Sequence, residues 1–361
     1  MKAAVSRAVG QISIETLDDP HPRAGEIGIE LVATGVCHTD LTVLAGNMPS
    51  PRPIVLGHEG AGIVTEVGSG VEGFAVGDSV IGSIIVPCDR CFQCLRGDPA
   101  MCEQITFFTG RMLDGTTRLR CGDEEIFSLS YQASFAERAV IPAAAAVRVP
   151  RSAPLEKLCG LACGVSTGLG AAMVRADVKA GSSVLVIGAG GVGLSTLMGA
   201  KVRGATQLIA ADITPSKLAK ARELELATDV IDCSQADLVE AVRELTQGRG
   251  ADYSFDAAGV PGTLESAIEA IRPGGTCVVI GRTGDIQLEI PTTAILRHKW
   301  VTGTFGGSIH PRRHIPEFVD LYLAGRLPLD GLMDAEYPLD QLERAFDDLH
   351  ENRVTRGVIR F

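Results

Sequence analysis

The sequence predicts an α/β protein in two parts, one β-rich and the other a parallel sheet covered by helices. Three observations carry this: the length, a change of rhythm near Ser183, and a glycine-rich turn between a strand and a helix just beyond it. At 361 residues the chain exceeds one ordinary core, and a prior of roughly 150 residues per domain suggests two. Residues 1–160 read as short strands and turns, because GEIGIELVATGVC, GIVTEVGSGVEGFAVGDSVIG and ASFAERAVIP alternate apolar with polar or glycine positions. From Ser183 the pattern becomes SSVLVIG, a helix-like GVGLSTLMGAKVRG, the strand QLIAAD and the helical PSKLAKARELEL. Apolar runs separated by helical stretches fit a parallel sheet buried on both faces. The stretch from FGGSIHPRRHIPEFVDLYLAG to VIRF leaves that rhythm and is expected to return to the first domain.

Composition narrows the function classes. The 33 basic and 44 acidic side chains leave a net charge of −11, no electrostatic footprint for nucleic acid or an anionic membrane surface. The N-terminal MKAAVSRAVG runs into the polar ISIETLDDPHPR, unlike a secretory leader. The most apolar stretch, 184–202, carries five glycines and reads as βα rather than a membrane span. A cytoplasmic protein is expected, in which ten cysteines stay reduced and clustered thiols call for a metal or catalytic explanation.

Cys88, Cys91, Cys94 and Cys102 place four thiols within fifteen residues. Thiolates so close can close a tetrahedral Zn²⁺ shell, and a shell filled by protein is structural; an iron–sulfur cluster also takes four thiolates. A second constellation is dispersed over Cys37-His38-Thr39-Asp40, Gly57-His58-Glu59-Gly60 and Cys163-Gly-Val-Ser-Thr-Gly168. Each piece alone reads as a core cysteine or a satisfied histidine. Together, Cys37, His58 and Cys163 make a three-ligand zinc site with the fourth position open to water or substrate. Asp40 is expected to orient His58, and Glu59 is a further carboxylate behind the metal or on it.

The third constellation is Gly188-Ala-Gly190-Gly191-Val192-Gly193, directly after the strand SSVLVI and opening a helix. Its glycines permit the tight turn, the approach of pyrophosphate to backbone and close helix–strand packing, while the helix N-terminus attracts the anion. Asp212 follows nineteen residues after Gly193, where a carboxylate accepts both adenosine-ribose hydroxyls and repels a 2′-phosphate. NAD is preferred over NADP.

With these residues placed, the sequence closely resembles the zinc-containing medium-chain alcohol dehydrogenases. GHEGAGIVTEVG, CDRCFQC with Cys102, CGVSTG, GAGGVG and AADI occur in that family's order and approximate spacing. The resemblance implies a β-rich GroES-like catalytic domain over 1–164 with a structural-zinc lobe at 86–103. It also implies a Rossmann NAD-binding domain over 165–304, a return to the catalytic domain over 305–361, and an active site in the cleft. It implies two zinc ions per subunit: a catalytic one on Cys37, His58 and Cys163, and a structural one on Cys88, Cys91, Cys94 and Cys102. Thr39 matches the hydroxyl that takes the alcohol proton and passes it to the cofactor ribose. His38 and Arg356 match cofactor-phosphate contacts, and Lys217 matches an adenosine-ribose contact beside Asp212.

The substrate class so implied is a small alcohol or aldehyde, with a primary aromatic or medium-chain alcohol expected. RMLDGTTRLRCGDEEIF resembles a segment of the longer plant- and animal-type enzymes, so a homodimer is expected over a tetramer. Two departures qualify this. Thr42 stands where several relatives carry a relay histidine, and Ile84 occupies a pocket position often aromatic in relatives. The stretch CEQITFFTGRMLDG is about two residues shorter than in relatives that oxidise thiol–formaldehyde adducts, and no arginine follows Cys102 closely. A thiol-dependent formaldehyde dehydrogenase, an enzyme with permanently bound NAD, and a non-catalytic nucleotide-binding sensor are the alternative readings.

Overall fold

The computed structural model describes residues 1–105, 108–281 and 287–361. Thr106 and Phe107, within the stretch read above as shortened, lie outside them. The chain divides into two compact units, Met1–Cys163 with His310–Phe361, and Gly164–Ile309.

The second unit is built on a parallel sheet. Its strands are β1 (Ser183–Ile187), β2 (Gln207–Asp212), β3 (Asp229–Asp232), β4 (Ala251–Asp256), β5 (Ile271–Val279) and β6 (Trp300–Gly303). Among the described residues they lie in the order 3-2-1-4-5-6, the doubly wound arrangement that puts a ligand crevice where the order reverses, beside β1. Val184, Leu185 and Val186 of β1 are fully buried, as expected of a central strand covered on both faces. Segment 306–309 stays with this unit because glycines bring it onto the helix Gly164–Gly170. A Cβ on Gly170 would stand 2.4 Å from the Gly307 carbonyl oxygen. The return to the first unit therefore starts at His310 rather than at 305.

Among the described residues the first unit carries two sheets. In the larger, the strand Glu26–Gly35 runs antiparallel between Gly60–Val67 and the late strand Gly357–Arg360. Thr34 faces Gly60 on one side and Ile359 on the other. That register gathers one end of three strands: Cys37 follows the first, His58 and Glu59 precede the second, and Arg356 precedes the third. The adjoining core contains Val43, Leu56, Phe135 and Phe346, the two rings meeting edge to face at 5.8 Å. Burying a Phe completely contributes about 1.5–3 kcal/mol. Phe135 also anchors the loop that carries His58, since its N–H donates to the Leu56 carbonyl at 3.1 Å.

Candidate metal centres and nucleotide site

Cys37 caps the short helix His38–Leu44, so Thr39 stands in its first turn and Asp40 turns back on the cap. Asp40 is completely buried. Its Oδ2 accepts the Cys37 N–H at 3.3 Å, and Oδ1 accepts the Gly57 N–H at 2.9 Å and meets His58 Nδ1 at 3.1 Å. The carboxylate therefore makes Nδ1 the protonated nitrogen and leaves Nε2 with its lone pair. Nε2 is buried with no hydrogen-bond partner. An orphaned imidazole nitrogen facing two thiols fits a zinc ligand set. Ligand atoms of Cys37, His58, Glu59 and Cys163 all lie within 4.8 Å of one another.

The groups at this centre set one another's proton affinity. Burial disfavours the His58 imidazolium, but Asp40 and Cys37 outweigh it and raise its proton affinity well above the ordinary range. The Cys163 thiol, hydrogen-bonded to Cys37, holds Cys37 well below the usual thiol value against the cost of burial. The same contact, with burial, pushes Cys163 up. Zinc replaces the protons these groups hold, because only thiolate and neutral imidazole ligate it.

Glu59 is completely buried, and its carboxylate is gripped by Arg356, whose Nε donates to Oε2 at 3.2 Å and whose Nη2 donates to Oε1. Gly35 makes room for it: a Cβ there would stand 2.1 Å from Glu59 Oε2. Arg356, expected at a cofactor phosphate, spends two of its three guanidinium nitrogens on Glu59, because pairing of Gly357–Arg360 with Glu26–Gly35 brings residue 356 against residue 59. Thr42 Oγ1 donates to the His38 carbonyl at 2.8 Å, so its proton is held by the helix backbone. His38 is exposed and Thr39 half-buried. Ile84 is buried, and its N–H donates to the Ala162 carbonyl at 3.1 Å, beside Cys163.

The four-thiol cluster forms as the spacing suggests. Ligand atoms of Cys88, Cys91, Cys94 and Cys102 lie within 4.8 Å of one another. The Cys91 N–H points to Cys88 Sγ at 3.3 Å and the Cys94 N–H to Cys91 Sγ at 3.5 Å. Donation from the Cys94 N–H lowers the Cys91 thiol to about 6, while burial pushes Cys94 up to about 12. All four positions come from protein, which makes this the structural set.

In the second unit, Gly188 has φ +93°, and its missing Cβ clears the Ala258 nitrogen at 2.8 Å. A Cβ on Gly193 would stand 1.8 Å from the Gly188 oxygen, whereas one on Gly190 would meet open space. Gly188 and Gly193 therefore serve packing, and Gly190 leaves the backbone open to an approaching pyrophosphate. Gly190 caps the helix Gly191–Val202; Gly191 and Val192 are half-buried in its first turn, whose leading N–H groups attract an anion. Asp212 ends β2 and is buried, with Oδ2 accepting the Ala189 N–H at 2.8 Å and Oδ1 the Thr214 N–H at 2.9 Å. A carboxylate has about four acceptor sites, so capacity for ribose hydroxyls remains. Lys217 lies in the first turn of the following helix, Pro215–Glu223.

A doubly wound nucleotide unit joined to a unit with an open thiolate–imidazole centre and a closed four-thiolate centre defines a zinc-binding dehydrogenase. Comparison with known proteins agrees. The alcohol dehydrogenase GroES-like domain pattern matches residues 23–151, and the zinc-binding dehydrogenase pattern matches 191–324. The chain is 38% identical to an alcohol dehydrogenase class-3 of Myxine glutinosa over 99% of its length and 97% of that protein. It is 39% identical to one of Drosophila melanogaster over 100% and 97%. Among solved structures, an alcohol dehydrogenase zinc-binding domain protein from Burkholderia ambifaria superposes with a TM-score of 0.95 at 39% identity, covering 100% of this chain and 98% of that one. Benzyl alcohol dehydrogenase from Acinetobacter calcoaceticus gives 0.94 at 34%, covering 100% and 99%. The chain belongs to the zinc-containing medium-chain alcohol dehydrogenases, oxidoreductases of small-molecule alcohols and aldehydes that use zinc and NAD.

Proposed function

We propose that this chain oxidises a primary alcohol, aromatic or medium-chain, to its aldehyde and reverses the reaction, using NAD. The observation that carries the reading is the buried, partnerless Nε2 of His58 beside the Cys37 and Cys163 thiols. Similarity to the benzyl alcohol dehydrogenase supports the aromatic substrate, and Ile84 in place of an aromatic side chain supports a roomy apolar pocket.

Zinc held by Cys37, His58 and Cys163 would polarise the substrate oxygen, and NAD⁺ would take the hydride. The protein does the rest. Asp40 fixes the His58 tautomer, and Thr39, two residues from Cys37, takes the hydroxyl proton. Thr42, tied to the His38 carbonyl, is not the next carrier. Asp212, Lys217 and the Gly188–Gly193 turn would hold NAD, with Asp212 disfavouring a 2′-phosphate. His38 and the guanidinium nitrogen of Arg356 not engaged by Glu59 are proposed cofactor-phosphate contacts.

A homodimer is supported by β6, the last strand of its sheet among the described residues, with Trp300 and the neighbouring Leu296 69% and 77% exposed. A cytoplasmic location fits ten cysteines that form no disulfide among the described residues; no single described helix is long and apolar enough to cross a membrane.

The test is NAD⁺ reduction with primary, secondary, benzylic and terpenoid alcohols, and with formaldehyde in the presence and absence of thiols, alongside zinc quantification. Benzylic or medium-chain primary alcohols should give the highest kcat/KM. Turnover confined to formaldehyde plus a thiol would replace this reading with the adduct dehydrogenase.

A further inference from the structure

The segment 130–133 is strained for no reason evident in its own chemistry. Ser130, Tyr131 and Ala133 are buried non-glycine residues with φ of +49°, +61° and +52°, a conformation that side chains other than glycine adopt at a cost. What the strain achieves is the placement of Gln132, which is 2% exposed. Its Oε1 accepts the Gly60 N–H at 3.1 Å and its Nε2 donates to the Gly82 carbonyl at 3.2 Å.

Those two partners sit where the antiparallel ladder between Gly60–Val67 and Ser79–Gly82 comes to its end, the last backbone pair being Ala61 with Ile81. One carboxamide continues the ladder by a step with side-chain atoms. Both partners are glycines that make room: a Cβ on Gly82 would stand 3.0 Å from Gln132 Oε1, and one on Gly60 would stand 2.9 Å from Ser134 Cβ. Neighbours complete the grip, since Ser134 N–H donates to the Gly57 carbonyl at 3.0 Å and Ser134 Oγ meets Thr34 Oγ1 at 2.7 Å. Residue 58 is thus clasped on both sides by 132–135.

Gly60 lies two residues beyond His58. Gly82 lies two residues before Ile84, whose N–H holds the Ala162 carbonyl next to Cys163. We propose that Gln132 is a positioning residue for the catalytic zinc: its carboxamide fixes the spacing between the strand end that carries His58 and the one that braces Cys163. This rests on the catalytic-zinc reading above. Groups behind a ligand set commonly govern metal affinity by 10–100-fold. Removing these two hydrogen bonds should loosen zinc at Cys37, His58 and Cys163 by about that factor and leave zinc at Cys88–Cys102 untouched.

Gln132→Met keeps the volume and removes both bonds; Gly82→Ala keeps the glutamine and presses a methyl group on its carboxamide. Zinc is followed by competition with a chromophoric chelator, and Cys163→Ala protein identifies the release due to the four-cysteine site alone. Faster or weaker-affinity release of the catalytic zinc only, in Gln132→Met and to a smaller degree in Gly82→Ala, is the expected result. If Gln132→Met does not fold, Gly82→Ala decides by the same criterion. Unchanged catalytic-zinc affinity, or equal loosening of both zincs, overturns the role assigned to Gln132. A wild-type protein that binds one zinc instead of two overturns the catalytic-zinc reading itself.

Discussion

Asp40→Asn should weaken zinc binding at the Cys37, His58, Cys163 centre, and the size and pH dependence of the loss follow from the hydrogen bonds. The carboxylate takes three of them while completely buried. Asparagine keeps one acceptor, which the Gly57 N–H and His58 will claim, and sets its NH₂ against the Cys37 N–H, donor to donor. A bond to a charged group is worth about 1.5–3 kcal/mol and a neutral one about 0.5–1.5. The exchange for His58 therefore costs about 1–1.5 kcal/mol, and the opposed donors bring the total to about 1.5–3 kcal/mol. At about 1.4 kcal/mol per factor of ten, zinc affinity should fall roughly 10–100-fold. The loss should be greatest at high pH. Asp40 also raises the proton affinity of His58, so in acid the wild-type site must displace a more tightly held proton than the variant does. The gap between the two proteins therefore closes as pH falls through the wild-type His58 range. Chelator competition on both sides of neutral pH, with the four-cysteine site as internal reference, measures it. Equal zinc affinity for both proteins across the range, or a gap that widens in acid, would refute the reasoning.

Other expectations are as direct. Cys163→Ala should remove the catalytic zinc and nearly all turnover, whereas Cys88→Ala should lower the thermal midpoint and release the other zinc; metal analysis and calorimetry separate the two. Gly193→Ala should abolish NAD binding in a fluorescence titration, because its methyl carbon has to displace the Gly188 oxygen 1.8 Å away. Thr42→Val should leave turnover unchanged in steady-state assays, since its hydroxyl is spent on the His38 carbonyl. Asp252 ties β4 to β1 through Ser183: burial opposes its charge, but the Ser183 N–H and hydroxyl and Arg272 hold its carboxyl below the usual 3.8. Its stabilisation is complete above that unfolded value and is lost as pH falls through the folded one. Asp252→Asn should flatten that part of the acid-unfolding curve.

The ligands were legible in the sequence because thiols and imidazole carry their chemistry in their identity, and the glycine turn because its spacing follows from backbone sterics. Asp40 was legible as a group to orient His58, but its turn back onto the Cys37 N–H follows from the helix that starts at His38, which the sequence alone does not place. Gln132 was not. It acts through a carboxamide spanning residues 72 and 50 positions away, and neither its type nor its neighbours signal a strand-end bridge. Arg356 was legible only as a cofactor-phosphate contact implied by family likeness; its engagement of Glu59 depends on which strands become neighbours. The division at His310 likewise depends on glycine contacts with the helix Gly164–Gly170 that periodicity does not encode.

The Glu59–Arg356 pair has a consequence for how the protein is made. Cys88 to Cys102 lie in one short stretch, so that centre draws on no distant residue. The other centre contains a buried carboxylate whose countercharge arrives 297 residues later. Until Arg356 has emerged and its strand has docked on Glu26–Gly35, closing the pocket would strand an unpaired charge at a cost of about 3–5 kcal/mol. The pocket around Glu59 therefore closes at no charge penalty only once the last strand of its sheet is in place, whereas the four-cysteine set needs no residue beyond 102.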